Sequence, residues 1–296
     1  MSSVVLEAYS LEPATLGELS WHLRIEGVAT RDFGVSPRLP LLVTTNHNSD
    51  LFGWTFAAGG PPQLLGDVNP GVFSSRPRFD RDGNRAFVLQ GGRVVATRVG
   101  GGVSSLFREI GQDCDGDDLA VMGPDETLLV LEREPDNRDN SVLRVLPQTR
   151  PDDWTNSGGV LQFTALAPAC PRIVCVSAAT EVERFALCCD DGTVRVFDGL
   201  SFLDRTMKVF ESHGFPLTRA TLSRDGTLLA AVEGDRDRSL GDGLVVWQVA
   251  DPARPVALQP GPRPTSYPPR VEISPSGRLV AVDRDAGVTI YTVTPR

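Results

Sequence analysis

The sequence predicts an all-β chain built from one repeated four-stranded unit, and three observations carry that prediction. Short apolar runs rich in β-branched residues recur along the whole length, tight-turn motifs stand before the second run of the units, and no stretch shows the apolar period of an amphipathic helix. The stretch HGFPLTRATLSRDGTLLAAVEGDRDRSLGDGLVVWQ, residues 213–248, displays the unit most completely. An apolar strand runs into the Asp225-Gly226 turn, a second apolar strand follows, and after a polar excursion a third strand carries Trp247.

The second strand serves as the ruler. LLVTT (41–45), RAFVL (85–89), LLVL (128–131), FALCC (185–189), LLAAV (228–232) and RLVAV (278–282) are centred near residues 43, 87, 130, 187, 230 and 280. Their spacing of 43 to 57 residues is that of a four-stranded propeller blade, with insertions in the two longer intervals. RDGN (81–84), PDET (124–127), RDGT (224–227) and PSGR (275–278) each precede a second strand. Asp-Gly and Ser-Gly supply the positive φ of a tight hairpin, and proline presets its own φ. Third strands follow at LFGWTF (51–56), RVVATR (93–98), SVLRVL (141–146), TVRVFD (193–198), LVVWQV (244–249) and VTIYTV (288–293). First strands are expected at RPRFD (76–80), LAVMG (119–123), ATLS (220–223) and VEIS (271–274).

Six second strands imply a single propeller of six four-stranded blades over residues 29–296. Only TPR follows the last third strand, so residues 1–28 are expected to close the last blade, through SVVLEAY (3–9) or LSWHLRI (19–25). Such a closure removes an exposed sheet edge. A seventh, partial blade built from residues 3–25 is the alternative.

At FALCCDDGTVRVFD (185–198) the residues resemble the WD-repeat (WD40-like) β-propeller family. Asp191 stands at the tight-turn aspartate, Asp198 at the final aspartate, and Phe197 where the family has tryptophan. In the next unit His213 stands at the histidine of the Gly-His motif, ten residues before Ser223, with Asp225 in the turn and Trp247 on the third strand. The resemblance covers residues 30–293. It implies that His, Ser/Thr, turn Asp and Trp form a buried hydrogen-bonded set, whose members here are spread over two blades. The repeat architecture, with no assembled catalytic set beside it, makes a scaffold for protein–protein interaction the expected function rather than an enzyme.

Composition narrows the function. A net charge of −9 disfavours a nucleic-acid backbone as partner. Lys208 is the one lysine among 29 basic residues. The N-terminus lacks a basic leader and no apolar run reaches membrane-spanning length, so a cytoplasmic home is expected, with the nucleus as an alternative, and no membrane. Five cysteines, Cys114, Cys170, Cys175, Cys188 and Cys189, contain no CxxC spacing, so neither a disulfide framework nor a zinc site is suggested. Cys188 and Cys189 fall on a buried strand, where a thiol behaves as a small hydrophobe.

No catalytic residue is assigned. His22, His47 and His213 are far apart in sequence, and the motifs of zincins, serine hydrolases and P-loop enzymes are missing. The run DCDGDD (113–118) has oxygen ligands of the calcium type but lacks EF-hand spacing, so it reads as a solvated acidic loop. Neither metal nor cofactor is expected. Two charged connections, REPDNRDN (133–140) and GDRDRSLGDG (234–243), join second to third strands. Arg133, Asp136, Arg138, Asp139, Asp235, Arg236, Asp237 and Arg238 in them are the candidate partner-binding residues, because binding groups gather on loops of a rigid scaffold and arginine is enriched at interfaces. The rival expectation is a small-molecule site in the central channel, of a metal-dependent lactonase-like kind, built from Arg76, Arg78, Asp80 and Glu272.

Overall fold

The computed structural model describes residues 3–9, 19–26, 30–36, 38, 41–46, 51–56, 62–68, 76–90, 93–98, 108–110, 116–134, 137–150, 153–154, 160–162, 172–199, 208–211, 217–233, 244–251, 255–256, 271–274, 277, 279–284 and 287–293. Every regular element among them is a strand, and every pairing is antiparallel between neighbours close in sequence. The chain divides into two compact units, Met1–Cys114 and Asp115–Arg296.

In the first unit β1 (Ser3–Tyr9) pairs with β2 (Leu19–Glu26) as a ribbon. One sheet follows in the order β3 (Thr30–Val35), β4 (Leu41–Asn46), β5 (Leu51–Phe56), β6 (Pro62–Val68). The next holds β7 (Arg78–Phe79), β8 (Arg85–Gln90), β9 (Arg93–Arg98) and β10 (Arg108–Ile110). Between these sheets the Ser36 hydroxyl donates to the Gly83 carbonyl at 3.1 Å, and Arg38 pairs with Asp82 at 3.3 Å.

The second unit opens with β11 (Gly116–Met122), β12 (Thr127–Glu134) and β13 (Asn137–Leu146). The ribbon β14 (Gln148–Arg150) and β15 (Asp153–Trp154) comes next, before the sheet's fourth strand β16 (Val160–Gln162). That ribbon is the insertion behind the longest interval of the repeat. The next sheet orders β17 (Ile173–Ala178), β18 (Arg184–Cys189), β19 (Thr193–Asp198) and β20 (Lys208–Glu211). Then come β21 (Leu217–Leu222), β22 (Leu228–Glu233), β23 (Leu244–Gln248) and β24 (Pro255–Val256). The last sheet has three described strands, β25 (Val271–Ile273), β26 (Leu279–Arg284) and β27 (Gly287–Thr292).

All six expected second strands are therefore strands, each between a first and a third. The expected turns hold as well: Gly83, Gly226 and Gly277 have φ of 74°, 69° and 68°. Gly226 is needed twice over, because a Cβ there would also stand 2.9 Å from Val182 Cγ2.

Apolar faces of successive sheets in the second unit pack on one another. Leu129, Leu131, Leu143 and Val145 meet Ile173, Val176, Phe185 and Leu187 between the sheets of β11 and β17. Cys188, Val194, Val196 and Phe210 meet Leu229, Ala231, Val245 and Trp247 between the sheets of β17 and β21. Leu228, Ala230, Val232 and Val246 meet Val271, Val280 and Val293 beyond that. Strands with apolar residues on both faces explain why FALCC and LLAAV are unbroken apolar runs rather than alternating ones.

Two sequence expectations need correction here. REPDNRDN is no free loop: Arg133 and Glu134 are the last two residues of β12, and Arg138 and Asp139 lie on β13, which starts four residues before the expected SVLRVL. Cross-strand pairing extends the hairpin outward, with Arg133 opposite Ser141 and Glu134 opposite Asn137. The cysteines are corrected as well. Cys175 lies opposite Cys188 across β17–β18 and is joined to it, and Cys189 is also disulfide-bonded. Register brings the first pair together, and spacing along the chain does not reveal it.

Candidate functional site

First strands of successive sheets touch in the second unit, β11 against β17, β17 against β21 and β21 against β25. A first strand is an edge strand, and its outward N–H groups need partners. Side chains of the preceding sheet supply them. Cys175 Sγ accepts from the Ala220 amide at 3.3 Å and Ser177 Oγ from the Leu222 amide at 3.0 Å. Asp118, on β11 and 3% exposed, accepts from the Val176 amide at 3.1 Å and from the Leu119 amide at 3.0 Å.

The same strands share a second device. Near their starts β3, β11, β17 and β21 each carry an irregularity, between Thr30/Asp32, Gly116/Asp118, Ile173/Cys175 and Leu217/Arg219. A bulge bends its strand and re-aims the side chain that follows. In the second unit the residues so placed are Asp118, Cys175 and Arg219. The Arg219 guanidinium, one third exposed, stands 3.6 Å from the Asp118 carboxylate, linking the first strands of two sheets past the one between them.

This end also carries the second-to-third-strand hairpins. Chain direction puts the β12–β13 and β18–β19 turns beside the starts of β11, β17 and β21, because strands alternate in sense. Arg133, Arg138 and Asp139 therefore lie at the same end as the Asp118–Arg219 pair. Asp136, Asp235, Arg236, Asp237 and Arg238 fall outside the described residues. Just below the hairpin end, Glu132 takes a bidentate grip from Arg144, at 2.6 and 3.1 Å. That pair braces the hairpin.

The solvated acidic loop expected over residues 113–118 does not extend to Asp118. The structure puts it on β11 and buries it, because its carboxylate satisfies edge amides that would otherwise be bare. The signal available was its position directly before the apolar run LAVM. Asp80, offered for a channel ligand site, is turned into its own β-turn, where it accepts from the Asn84 amide at 2.8 Å and from Arg85 Nε at 3.1 Å. Three converging acids do not occur among the described residues.

The residues singled out by the family resemblance behave as parts of the scaffold. Asp191 accepts from the Thr193 amide and hydroxyl at 2.9 and 2.7 Å. Asp198 accepts from Arg184 Nε, and the same guanidinium donates to the Gly226 carbonyl of the next sheet at 2.7 Å. Phe197 stacks on Phe185 at 4.9 Å, and Trp247 meets the edge of Phe210 at 5.7 Å. His213 lies outside the described residues. Ser223 and Asp225 close a local knot. The Ser223 hydroxyl donates to Asp225 Oδ1 and accepts from the Leu228 amide, while the Thr227 amide and hydroxyl donate to Asp225.

Burial alone would raise the Asp225 pKa, but the Ser223 and Thr227 hydrogen bonds outweigh it and hold the carboxyl below 3.8. A folded value below the unfolded one contributes stability above about pH 4, and that contribution is lost as the pH falls through the folded value. Asp225→Asn is therefore expected to lower stability at pH 7 by at most about 1 kcal/mol, since the side chain is exposed. The gap to wild type should narrow below pH 4. Urea melts of both proteins at pH 7 and pH 3 test this, and a gap that widens on acidification contradicts it.

In the second unit, antiparallel, mostly four-stranded sheets stack through both faces with first strands side by side, the arrangement of propeller blades. Comparison with solved structures agrees on the fold. The chain is similar to one in "COPII on membranes, outer coat vertex", with a TM-score of 0.72 and 12% identity over 100% of this chain and 78% of that one. It is similar to another in "The structure of the COPII coat assembled on membranes", again at 0.72 and 12%, over 100% of this chain and 43% of that one. No family model matches the sequence, and no curated protein does. No helix among the described residues is long and apolar enough to cross a membrane.

Proposed function

We propose that this chain is a non-enzymatic, WD40-like β-propeller that serves as a protein-interaction scaffold, in the manner of a coat subunit, in the cytoplasm. One observation carries the reading: the whole of this chain aligns with chains found in structures of the COPII coat assembled on membranes. The contact end is the one that holds the hairpins and the Asp118–Arg219 pair. Arg133, Arg138 and Asp139 on the extended β12–β13 hairpin, with Asp136 and the 235–238 segment, are its binding residues. A propeller with six blades over residues 29–296 is the proposed architecture, and residues 1–28 its closing segment. The alternative is a seventh, partial blade built from residues 3–25, in which β1 and β2 pair with each other.

Arg138→Ala and Arg236→Ala are each expected to weaken binding of the partner that co-purifies from the native host, by roughly 1–3 kcal/mol where the side chain is buried on contact. Melting temperatures should stay close to wild type, since exposed charges contribute little to folding. Full binding by the double variant moves the interface away from this end. Removing residues 1–28 is expected to cause aggregation or cooperative loss of β structure. An unchanged melting curve for the truncated chain places the closure elsewhere.

A further inference from the structure

We infer that Cys175 and Cys188 form a reversible two-electron latch inside the β17–β20 sheet, closed by a low-molecular-weight disulfide of the glutathione class and opened by the matching thiol. The inference rests on the cytoplasmic placement proposed above, because a bonded pair in a reducing compartment is usually a transient or sensing one.

Register comes first. Cys175 and Cys188 are direct cross-strand partners with Cα atoms 5.2 Å apart, within the span a disulfide bridges without backbone movement. Position comes second. The β17 irregularity falls between Ile173 and Cys175, so the ladder is already interrupted beside the pair. Cys188 is the penultimate residue of β18, next to the turn at Asp190–Gly192. Ends of strands open most readily.

Coupling is the third element. Cys175 Sγ accepts the Ala220 amide of β21, an edge amide of the next sheet. Its state is thus felt by two sheets and not one. Both residues are at most 1% exposed and set among Ala186, Val194 and Phe210, out of reach of a small disulfide in the closed sheet. Exchange therefore waits for local opening, and the latch responds slowly.

The chemistry balances within the thiol pool. On opening, one cysteine loses its proton and its thiolate attacks a sulfur of the small disulfide. A mixed disulfide forms and one small thiolate leaves. The second cysteine then gives up its proton and attacks the protein-bound sulfur of the mixed disulfide, releasing the second small thiolate. The two cysteines are oxidised by two electrons, the small disulfide is reduced by two, and the two protons end on the released thiols.

The test equilibrates the full chain in buffers of varied reduced-to-oxidised glutathione ratio, with acid quenching, maleimide labelling and peptide mapping. The bridged Cys175–Cys188 peptides should convert to a doubly labelled pair, both residues in step, with a midpoint inside the range of ratios. Conversion should speed up several-fold in sub-denaturing urea. In Cys188→Ala, Cys175 should instead carry glutathione as a mixed disulfide. In a Cys189→Ala background, which removes the neighbouring bond, the melting temperature should fall by roughly 5 °C on reduction. A bond that survives the most reducing buffer overturns the latch in favour of a permanent staple. Thiols that stay free in the most oxidising buffer overturn it too, as does bridging of Cys175 to another cysteine. None of these outcomes touches the partner-binding assay with Arg138→Ala and Arg236→Ala, so failure here and failure of the scaffold reading are told apart.

Discussion

Trp247→Ala should lower the unfolding free energy by about 3–5 kcal/mol, the cost of emptying a large aromatic site in a packed core. Trp247 is 1% exposed, lies between the β17–β20 and β21–β24 sheets, and touches Phe210 edge-on. The cavity would open between two sheets, so each loses packing on a full face. Trp247→Phe keeps the aromatic contact and most of the volume, and its loss should be about half as large. Chemical denaturation of the three proteins reads both numbers. A loss below 1 kcal/mol for the alanine variant would falsify the view that this contact holds the two sheets together.

Asp118→Ala should cost about 2–4 kcal/mol, the second largest effect, because it strips a charged acceptor from two buried amides at once. The ordering within a small series is the sharper test. Asp118→Asn retains one acceptor oxygen and should fall between wild type and alanine. Arg219→Ala leaves both amide contacts in place and removes only a cation 3.6 Å away and partly solvated, so it should cost under about 1 kcal/mol. If Arg219→Ala proves as damaging as Asp118→Ala, the ion pair holds the first strands together, and amide capture is secondary.

How far each feature could be read from the sequence follows from how local its cause is. The turn at Asp225-Gly226 and the strands on either side of it were legible, because φ preferences and apolar runs act over four to eight residues. The family resemblance led to Trp247 and Asp198 in the same way. The extended β12–β13 hairpin was misread as a loop, since Arg, Asp and Asn favour loops by composition while pairing along the hairpin overrides them. Asp118 was hidden by its acidic neighbours. Its burial follows from the Val176 amide, 58 residues away, that needs an acceptor.

By itself, then, the sequence determined an all-β chain, the position of its second and third strands, its turn chemistry and its lack of any local catalytic motif. These depend on residues near one another along the chain, where backbone preference and side-chain pattern suffice. Tertiary structure alone decided which thiols meet, which carboxylate is buried and which residues follow the bulges of the first strands. Cys175 and Cys188 are separated by a turn whose length sets their register, and Asp118, Val176 and Arg219 come from three different sheets. Such contacts exist only once sheets have stacked, because the unmet amides of one edge strand select their partners from the side chains of another.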